Sequence, residues 1–391
     1  MMITIASDVQ DARQRLLDFV DSKGVGVIIF SQIQQNKEEE AITLFQEIVR
    51  DRREPTVLNL NLSWLGNEFL RRIFNEIEGN ECFITLDLDL QTESASSDSF
   101  LIVSEALNRK ACALKTLKLS ALYGSCIPLL AQSLKVNHSL YELHIFFTLL
   151  KECRSLKLLD EVFEALILPL EGNKKRHLKT LHISGLPFIP WTDKNTQQLL
   201  TQVLQEVSLE KFSFAMNMGN FCEPVDLITS LREFPGEVTL SITMLSAPNP
   251  HQRETFELIA SISEKLDNLD LKICFPRKAG NSNNDQNDNY RKNLLQLLIH
   301  FLKACDPKSS FNFKLDQKLI FDENENNRAE IAELKHLLSQ TAIKFNSSFL
   351  SYRPSSLQNS QATFFNILAK AKKIHLEREL YGQNSVYQPG T

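Results

Sequence analysis

Residues 114–145 contain a strand pattern, then a helix pattern, then the strand pattern again. Leu117 and Leu119 lie two positions apart, a spacing that buries one face of a strand. Ile127, Leu130 and Leu134 follow at spacings of three and four, which bury one face of a helix. One strand and one helix cannot enclose a core alone, so a chain built from such units has to stack them.

The strand pattern recurs along most of the 391 residues, at intervals long enough to contain a whole helix. It is regular from residue 55 to 275 and weaker afterwards, where Phe313 and Leu315 are alternative positions in one strand. We predict strands marked by the following apolar residues: Leu60, Leu88, Leu119, Ile145, Ile183, Phe214, Ile242, Leu271, Phe313 and Phe345.

The L-x-x-L-x-L segment at 114–119 and its return at 140–145 resemble a leucine-rich repeat of the ribonuclease-inhibitor type. The resemblance implies an α/β solenoid, with a parallel sheet on the concave face, helices on the convex face and helical caps. We expect an N-terminal helical cap at residues 1–24, the solenoid at 25–349, and a C-terminal helix with a disordered tail at 350–391.

Three segments depart from the repeat. Residues 7–22 form an amphipathic pattern that predicts a helix over the first core layer, with the first buried strand at 25–30. Residues 276–290 are rich in Asn and Asp and nearly lack apolar side chains, which predicts a mobile loop. Residues 362–380 carry an apolar stripe that predicts a terminal helix over the last repeat.

The composition argues against several classes of protein. A net charge of −5 gives no general positive field for nucleic acid. No run approaches the roughly 18 apolar residues of a membrane span, and the first residues lack a secretory signal pattern. The seven cysteines are scattered without C-x-x-C spacing, which favours free thiols in a reducing compartment over disulfides or zinc.

Motifs for catalysis are also missing. The sequence contains no glycine-rich phosphate loop, no G-x-S-x-G turn, no H-E-x-x-H and no calcium-binding loop of the EF-hand type. The repeat pattern occupies most of the chain and leaves no room for a separate catalytic domain. We therefore expect a protein that is not an enzyme and needs no cofactor.

The residue between the two buried positions of each strand faces solvent, and such residues line up across a parallel sheet. The first predicted row is Asn59, Asp87, Lys118, His144, His182, Ser213, Ser241, Asp270, Asn312 and Lys344. The second row, two positions later, is Asn61, Asp89, Ser120, Phe146, Ser184, Ala215, Thr243, Lys272, Lys314 and Asn346.

These rows predict a protein-binding surface with an acidic end, a central aromatic residue beside two histidines, and a basic end. Polar residues on solvated strands need no function, but an exposed Phe146 is typical of a binding surface. Two imidazoles are too few for a structural zinc, so surface histidines are favoured over a metal site. The predicted protein-binding residues are Asp87, Asp89, Lys118, His144, Phe146, His182, Lys272, Lys314 and Lys344.

The favoured function is a protein–protein interaction module, expected to be monomeric. The irregular repeats and short caps resemble the leucine-rich-repeat effectors that intracellular bacteria such as Legionella deliver into host cells by type IV secretion. That resemblance implies a host-protein partner, virulence, and a path from the bacterial cytoplasm to the host cytoplasm. A regulator of a small GTPase and an enzyme with an unrecognised site stay open as alternatives.

Overall fold

The structure is a computed structural model of the chain. It describes residues 1–6, 9–62, 64–90, 93–109, 112–122, 124–147, 157–170, 176–184, 194–218, 225–244, 250–273, 284–316 and 328–347. These residues lie in one compact unit, Met1–Ser347. The structural statements below concern these residues.

The strands form a single sheet in which each strand pairs in parallel with the strands before and after it in the chain. The described residues contain twelve strands in this sheet. Their bounds are β1 Met2–Ile5, β2 Gly26–Phe30, β3 Thr56–Asn61, β4 Phe83–Asp89, β5 Thr116–Leu122, β6 Glu142–Phe147, β7 Thr180–Ser184, β8 Lys211–Met218, β9 Glu237–Met244, β10 Leu266–Ile273, β11 Asn312–Asp316 and β12 Lys344–Ser347.

Helices connect successive strands. Parallel strands in chain order have to be joined by crossovers, and right-handed crossovers place every helix on the same side of the sheet. The helices are α1 Val9–Gln14, α2 Leu16–Asp21, α3 Glu38–Asp51, α4 Asn67–Ile77, α5 Glu93–Asn108, α6 Ile127–Val136, α7 Lys157–Ile167, α8 Lys194–Glu206, α9 Val225–Glu233, α10 Pro250–Ala260, α11 Asn284–Ala304 and α12 Arg328–Gln340. The predicted α/β repeat is therefore confirmed at the level of a parallel sheet alternating with helices.

The core lies between the sheet and the helices. Leu86 and Leu88 of β4 are fully buried, whereas Asp87 between them is partly exposed. Phenylalanine rings also fill this layer: the ring centroids of Phe30 and Phe45 are 5.3 Å apart in an edge-on contact. The sheet thus has one face buried under helices and a second face, here called the open face, that carries the side chains between the buried ones.

The N-terminal region predicted as a helical cap contains a strand in addition to helices. Residues Met2–Ile5 form β1, which pairs with β2 and precedes the two short helices α1 and α2. Ile3 and Ile5 are buried, and α1 and α2 cover them. A four-residue strand is too short to show the full leucine pattern, so its alternation was not recognised as the beginning of the sheet.

The predicted rows are wrong by two residues in β9 and β10 and return to the predicted residues in β11 and β12. Ser213 pairs with Thr239 rather than with Ser241, and Thr239 pairs with Asn268 rather than with Asp270. Strand β9 alternates over eight residues, so its pattern fits two positions equally well. The observed register requires the small Gly236, because a Cβ there would lie 2.3 Å from the carbonyl oxygen of Glu210.

Part of the predicted mobile loop is helical. Helix α11 begins at Asn284, so residues 284–290 belong to a helix rather than to a loop. The apolar residues further along α11, Leu294, Leu295 and Leu298, are buried and hold the helix on the sheet. A helix nucleated there can extend through polar residues at low cost. The rest of the predicted loop, 276–283, and the predicted C-terminal segment, 350–391, lie outside the described residues.

A buried arginine joins the first two repeats. Arg52, directly after α3, has no exposed surface, and its Nη1 donates a hydrogen bond to the carbonyl of Phe19 in α2 at 2.5 Å. Its Nη2 donates to the carbonyl of Gly24 at 2.7 Å. A Cβ on Gly26 would lie 2.7 Å from this guanidinium, so the residue there has to be glycine. Burial lowers the pKa of Arg52.

Later repeats are joined by similar contacts between helix ends. The side-chain amide of Asn80 donates to the carbonyl of Val49 in α3 at 3.2 Å, and that of Asn137 donates to Leu107 in α5 at 2.8 Å. Arg176 reaches the ends of α6 and α7, and burial lowers the pKa of its guanidinium to about 10. These contacts satisfy carbonyl groups that have no partner inside their own helices.

The alternation of faces predicts the effect of a charge on each side of β9. Leu240→Asp should lower the free energy of unfolding by about 3–5 kcal/mol, because the carboxylate would be buried without a partner. Thr239→Asp, one residue earlier on the open face, should change it by no more than about 0.5 kcal/mol. Urea denaturation followed by circular dichroism measures both. Similar losses in the two variants would show that the face assignment is wrong.

Candidate protein-binding site on the open face

The centre of the open face carries two histidines on neighbouring strands. His144 of β6 and His182 of β7 pair directly in the sheet, as predicted. Their rings are stacked, with centroids 5.4 Å apart and an angle of 29° between the planes. Parallel strands hold both rings side by side, so the stack is fixed by the register of the sheet.

Hydroxyl groups fix the orientation of His182. Its Nδ1 lies 2.7 Å from Oγ of Ser213 on β8, and its Nε2 lies 3.2 Å from Oγ of Ser184 on β7. A neutral imidazole satisfies both contacts if one nitrogen accepts and the other donates. Burial and the neighbouring His144 lower the pKa of His182 to about 4. His182 is therefore neutral at physiological pH.

His144 lies between groups of opposite charge. Its Nε2 is shielded from solvent, makes no hydrogen bond, and lies 3.5 Å from Oε2 of Glu142, which is too long for a well-formed bond. Burial lowers the pKa of His144, Glu142 raises it and Lys118 lowers it. Lys118 pairs with His144 across β5 and β6 and with Asp87 across β4 and β5. These strands bring three of the predicted residues into one row.

Phe146 is the large apolar side chain at this centre, and 49% of its surface is exposed. It pairs with Ser184 on one side. On the other side β5 contains one extra residue, because Leu119 pairs with Ile145 but Leu122 pairs with Phe147. Such a bulge redirects side chains and is common beside functional sites. The prediction that Phe146 is exposed on the sheet is confirmed.

The acidic side chains lie on the side toward the N-terminus, also as predicted. The amide of Asn59 donates to a carboxylate oxygen of Asp87 at 3.2 Å, and that of Asn61 donates to Asp89 at 3.3 Å. The corrected register leaves this part of the surface unchanged.

The predicted basic end is altered by the shift at β9 and β10. Lys314 pairs with Asp270, whereas Lys272 lies one row further and pairs with Asp316. Lys344 pairs with Asn312 in the sheet. The side-chain amide of Asn312 donates a hydrogen bond to the side-chain oxygen of Asn268 at 3.0 Å. Lys272 therefore leaves the row of Lys314 in which it was predicted, whereas Lys314 and Lys344 keep their predicted rows. An acidic residue, Asp270, therefore lies beside Lys314 in the sheet.

Three features of this site were not predicted as parts of it. Glu142 lies two positions before His144. This spacing was the signal in the sequence that could have identified Glu142 as a neighbour of His144. Ser213 and Ser184 were placed in the rows but not recognised as partners of His182. The bulge in β5 has no signal, since one extra residue does not change the leucine pattern enough to be seen.

The contacts of His182 differ from those of a histidine that activates a serine nucleophile. A serine beside a histidine can act as a nucleophile when a carboxylate orients the imidazole and the histidine is a good base. Here the second nitrogen of His182 contacts the Ser184 hydroxyl, and a pKa of about 4 makes His182 a weak base. Among the described residues no group of three metal-binding side chains comes together.

The low pKa of His182 predicts how stability depends on pH. A histidine whose pKa falls below 6.5 on folding binds a proton more tightly in the unfolded chain. The folded state should therefore lose stability as the pH falls from 6.5 toward 4. His182→Gln should lose about 1–2 kcal/mol less over this range than the wild type, a reduced value because water screens a partly exposed imidazole.

Urea denaturation at pH 7, 6, 5 and 4.5 measures this difference. His177→Gln is the matched control, since His177 is an exposed histidine between α7 and β7 and lies outside the stack. It should reproduce the wild-type dependence on pH. Equal slopes for His182→Gln and the wild type would mean that His182 is not held neutral in the folded protein.

Comparisons with known proteins do not assign the chain to a family. No protein-family model matches the chain, and no curated protein matches it. Within the described residues, every helix is too short or too polar to cross a bilayer. A fold of this kind can carry many functions, so the function has to be inferred from the site.

Proposed function

We propose that the protein is a non-enzymatic binding module that holds a partner protein on the open face of its sheet, around Phe146. The observation that carries the proposal is the exposure of this ring at the centre of a face built from hydrogen-bonded strands. Aromatic residues are enriched at the centres of protein interfaces and contribute much of their binding energy. A partner would remove the ring from water.

The surroundings of Phe146 support the proposal because they are already ordered. His182 is held by two hydroxyl groups, and His144 is stacked on it. A side chain fixed before binding loses little conformational entropy when the partner arrives. The sheet itself provides the same advantage, since its strands are paired along the whole row.

The corrected charges define the partner more closely than the predicted rows did. Asp87 and Asp89 of β4 lie on the side of the aromatic centre toward the N-terminus, with Lys118 of β5 between, and Glu142 begins β6 itself. At the other end, Asp270 lies beside Lys314. We infer a partner with an apolar contact residue at Phe146 and basic groups opposite the acidic side, instead of an acidic partner steered by lysines.

We further propose that the solenoid belongs to the leucine-rich-repeat class of the ribonuclease-inhibitor type, with the open face concave. The support is the L-x-x-L-x-L segments together with the strand and helix in each repeat. An effector delivered by a bacterium into a host cell is the role that this resemblance implies. A host protein would then be the partner, and this stays a prediction.

Removal of the aromatic ring tests the binding surface. Phe146→Ala should raise the dissociation rate constant of the partner about tenfold or more, because the central contact is lost. Partners are first captured from host-cell lysate on the wild-type protein and identified by mass spectrometry. Surface plasmon resonance with the purified partner then gives the rate constants of each variant.

Leu101→Ala is the matched control. Leu101 lies on α5, in the helical layer, and is 42% exposed, which is close to the exposure of Phe146. This variant should leave the rate constants unchanged. A captured partner whose dissociation is altered by Leu101→Ala and not by Phe146→Ala would place the binding surface on the helices instead.

A further inference from the structure

The first strand of the sheet has one free edge. Strand β1 pairs with β2 on one side, and no described strand lies on the other. The N–H of Val27 donates to the carbonyl of Met1 at 2.9 Å, and the N–H of Ser31 donates to that of Ile5 at 3.1 Å. Peptide groups alternate in direction along a parallel strand, so the N–H and C=O groups of Met2 and Thr4 point away from β2.

Nothing on β1 protects this edge. Proteins usually block an open edge with a lysine, a proline, a bulge or a covering segment. Strand β1 contains Met2, Ile3, Thr4 and Ile5, and it pairs with β2 without a bulge. Its outward backbone groups are therefore a template for another strand.

Exposed apolar residues are concentrated at the same end of the sheet. Met1, Met2 and Val25 lie on or beside the first two strands and are 47%, 57% and 55% exposed. Leu17 is 75% exposed and lies on α2, a helix that covers β1. Both the sheet layer and the helical layer thus present apolar surface here. A lone peptide strand would cover the first layer and leave the second exposed.

We infer that β1 pairs in antiparallel orientation with β1 of a second copy of this chain, which forms a symmetric dimer. The spacing of the outward groups is self-complementary. With Ile3 opposite Ile3 of the second copy, Met2 of each chain lies opposite Thr4 of the other. Both residues then exchange N–H and C=O bonds in the manner of an antiparallel hydrogen-bonded pair.

The charges are compatible with this pairing. Strand β1 carries no charged side chain, and the N-terminal ammonium of Met1 donates to the carbonyl of Val25 at 3.1 Å. In the proposed register the two ammonium groups lie at opposite ends of the paired strands, roughly 13 Å apart at about 3.3 Å per residue. The two-fold axis also places both helical layers on the same side of the joined sheet, where α2 of each chain brings Leu17. The inferred dimer differs from the monomeric state that we expected from the sequence.

Sedimentation equilibrium on the full-length protein tests the dimer. The wild type should dissociate reversibly on dilution, with a single monomer–dimer equilibrium. Thr4→Pro removes a backbone N–H that makes no hydrogen bond to β2. Proline is tolerated at such outward positions of an edge strand. Two bonds are lost in each dimer, so the dissociation constant should rise at least about tenfold.

Two further variants complete the test. Thr4→Val keeps the N–H and removes only the hydroxyl, so it should retain the wild-type dissociation constant. Met2→Lys places a charge on the exposed edge without altering a buried position, and it should weaken the dimer in the same direction as Thr4→Pro. Melting curves show which variants are folded. If Thr4→Pro does not fold, the dissociation constant of Met2→Lys tests the dimer in its place.

Two results would overturn the inference. One is a wild-type protein that stays monomeric at the highest concentration at which it is soluble. The other is a dimer whose dissociation constant is unchanged in the folded edge variants, which would place the interface on another surface.

Discussion

Every strand of this protein depends on its neighbours for the burial of its inward side chains. A single repeat offers two or three apolar residues on a strand and a stripe on a helix, which is too little to exclude water. In β4, Leu86 and Leu88 are fully buried only because β3 and β5 lie on either side and helices lie above. The same dependence holds along the stack, so the open face owes its regular rows to the core beneath it.

The sequence predicts which face a side chain takes better than which neighbour it meets. Side chains alternate with a period of two, so an alignment error of two residues preserves the face and changes the row. This happened at β9, where Thr239 and Ser241 both face solvent but only Thr239 lies beside Ser213. The observed register places Gly236 against the Glu210 carbonyl, a contact between repeats that the leucine pattern does not contain.

In the candidate site, too, some positions were predicted correctly and others were not. His144 and His182 were correctly placed because the first predicted row stays in register from β3 to β8, and Phe146 pairs with Ser184 as predicted. Lys314 and Lys344 also keep their predicted rows, whereas Lys272 lies one row further because of the shift at β9 and β10. The hydroxyl contacts of His182 and the bulge beside Phe146 depend on local geometry. They could not be deduced from the spacing of leucines, although they determine the charge and direction of the central side chains.

The contact of Arg52 with the end of α2 has a consequence for how the molecule opens. Its guanidinium follows α3 but satisfies carbonyl groups of the preceding repeat, and it is enclosed there with the Phe19 ring 4.5 Å away. If the first repeat separated alone, a buried cation would lose its acceptors before it gained water. Local opening at this end therefore involves two repeats together, and the smallest cooperative unit of the chain is larger than the repeat visible in its sequence.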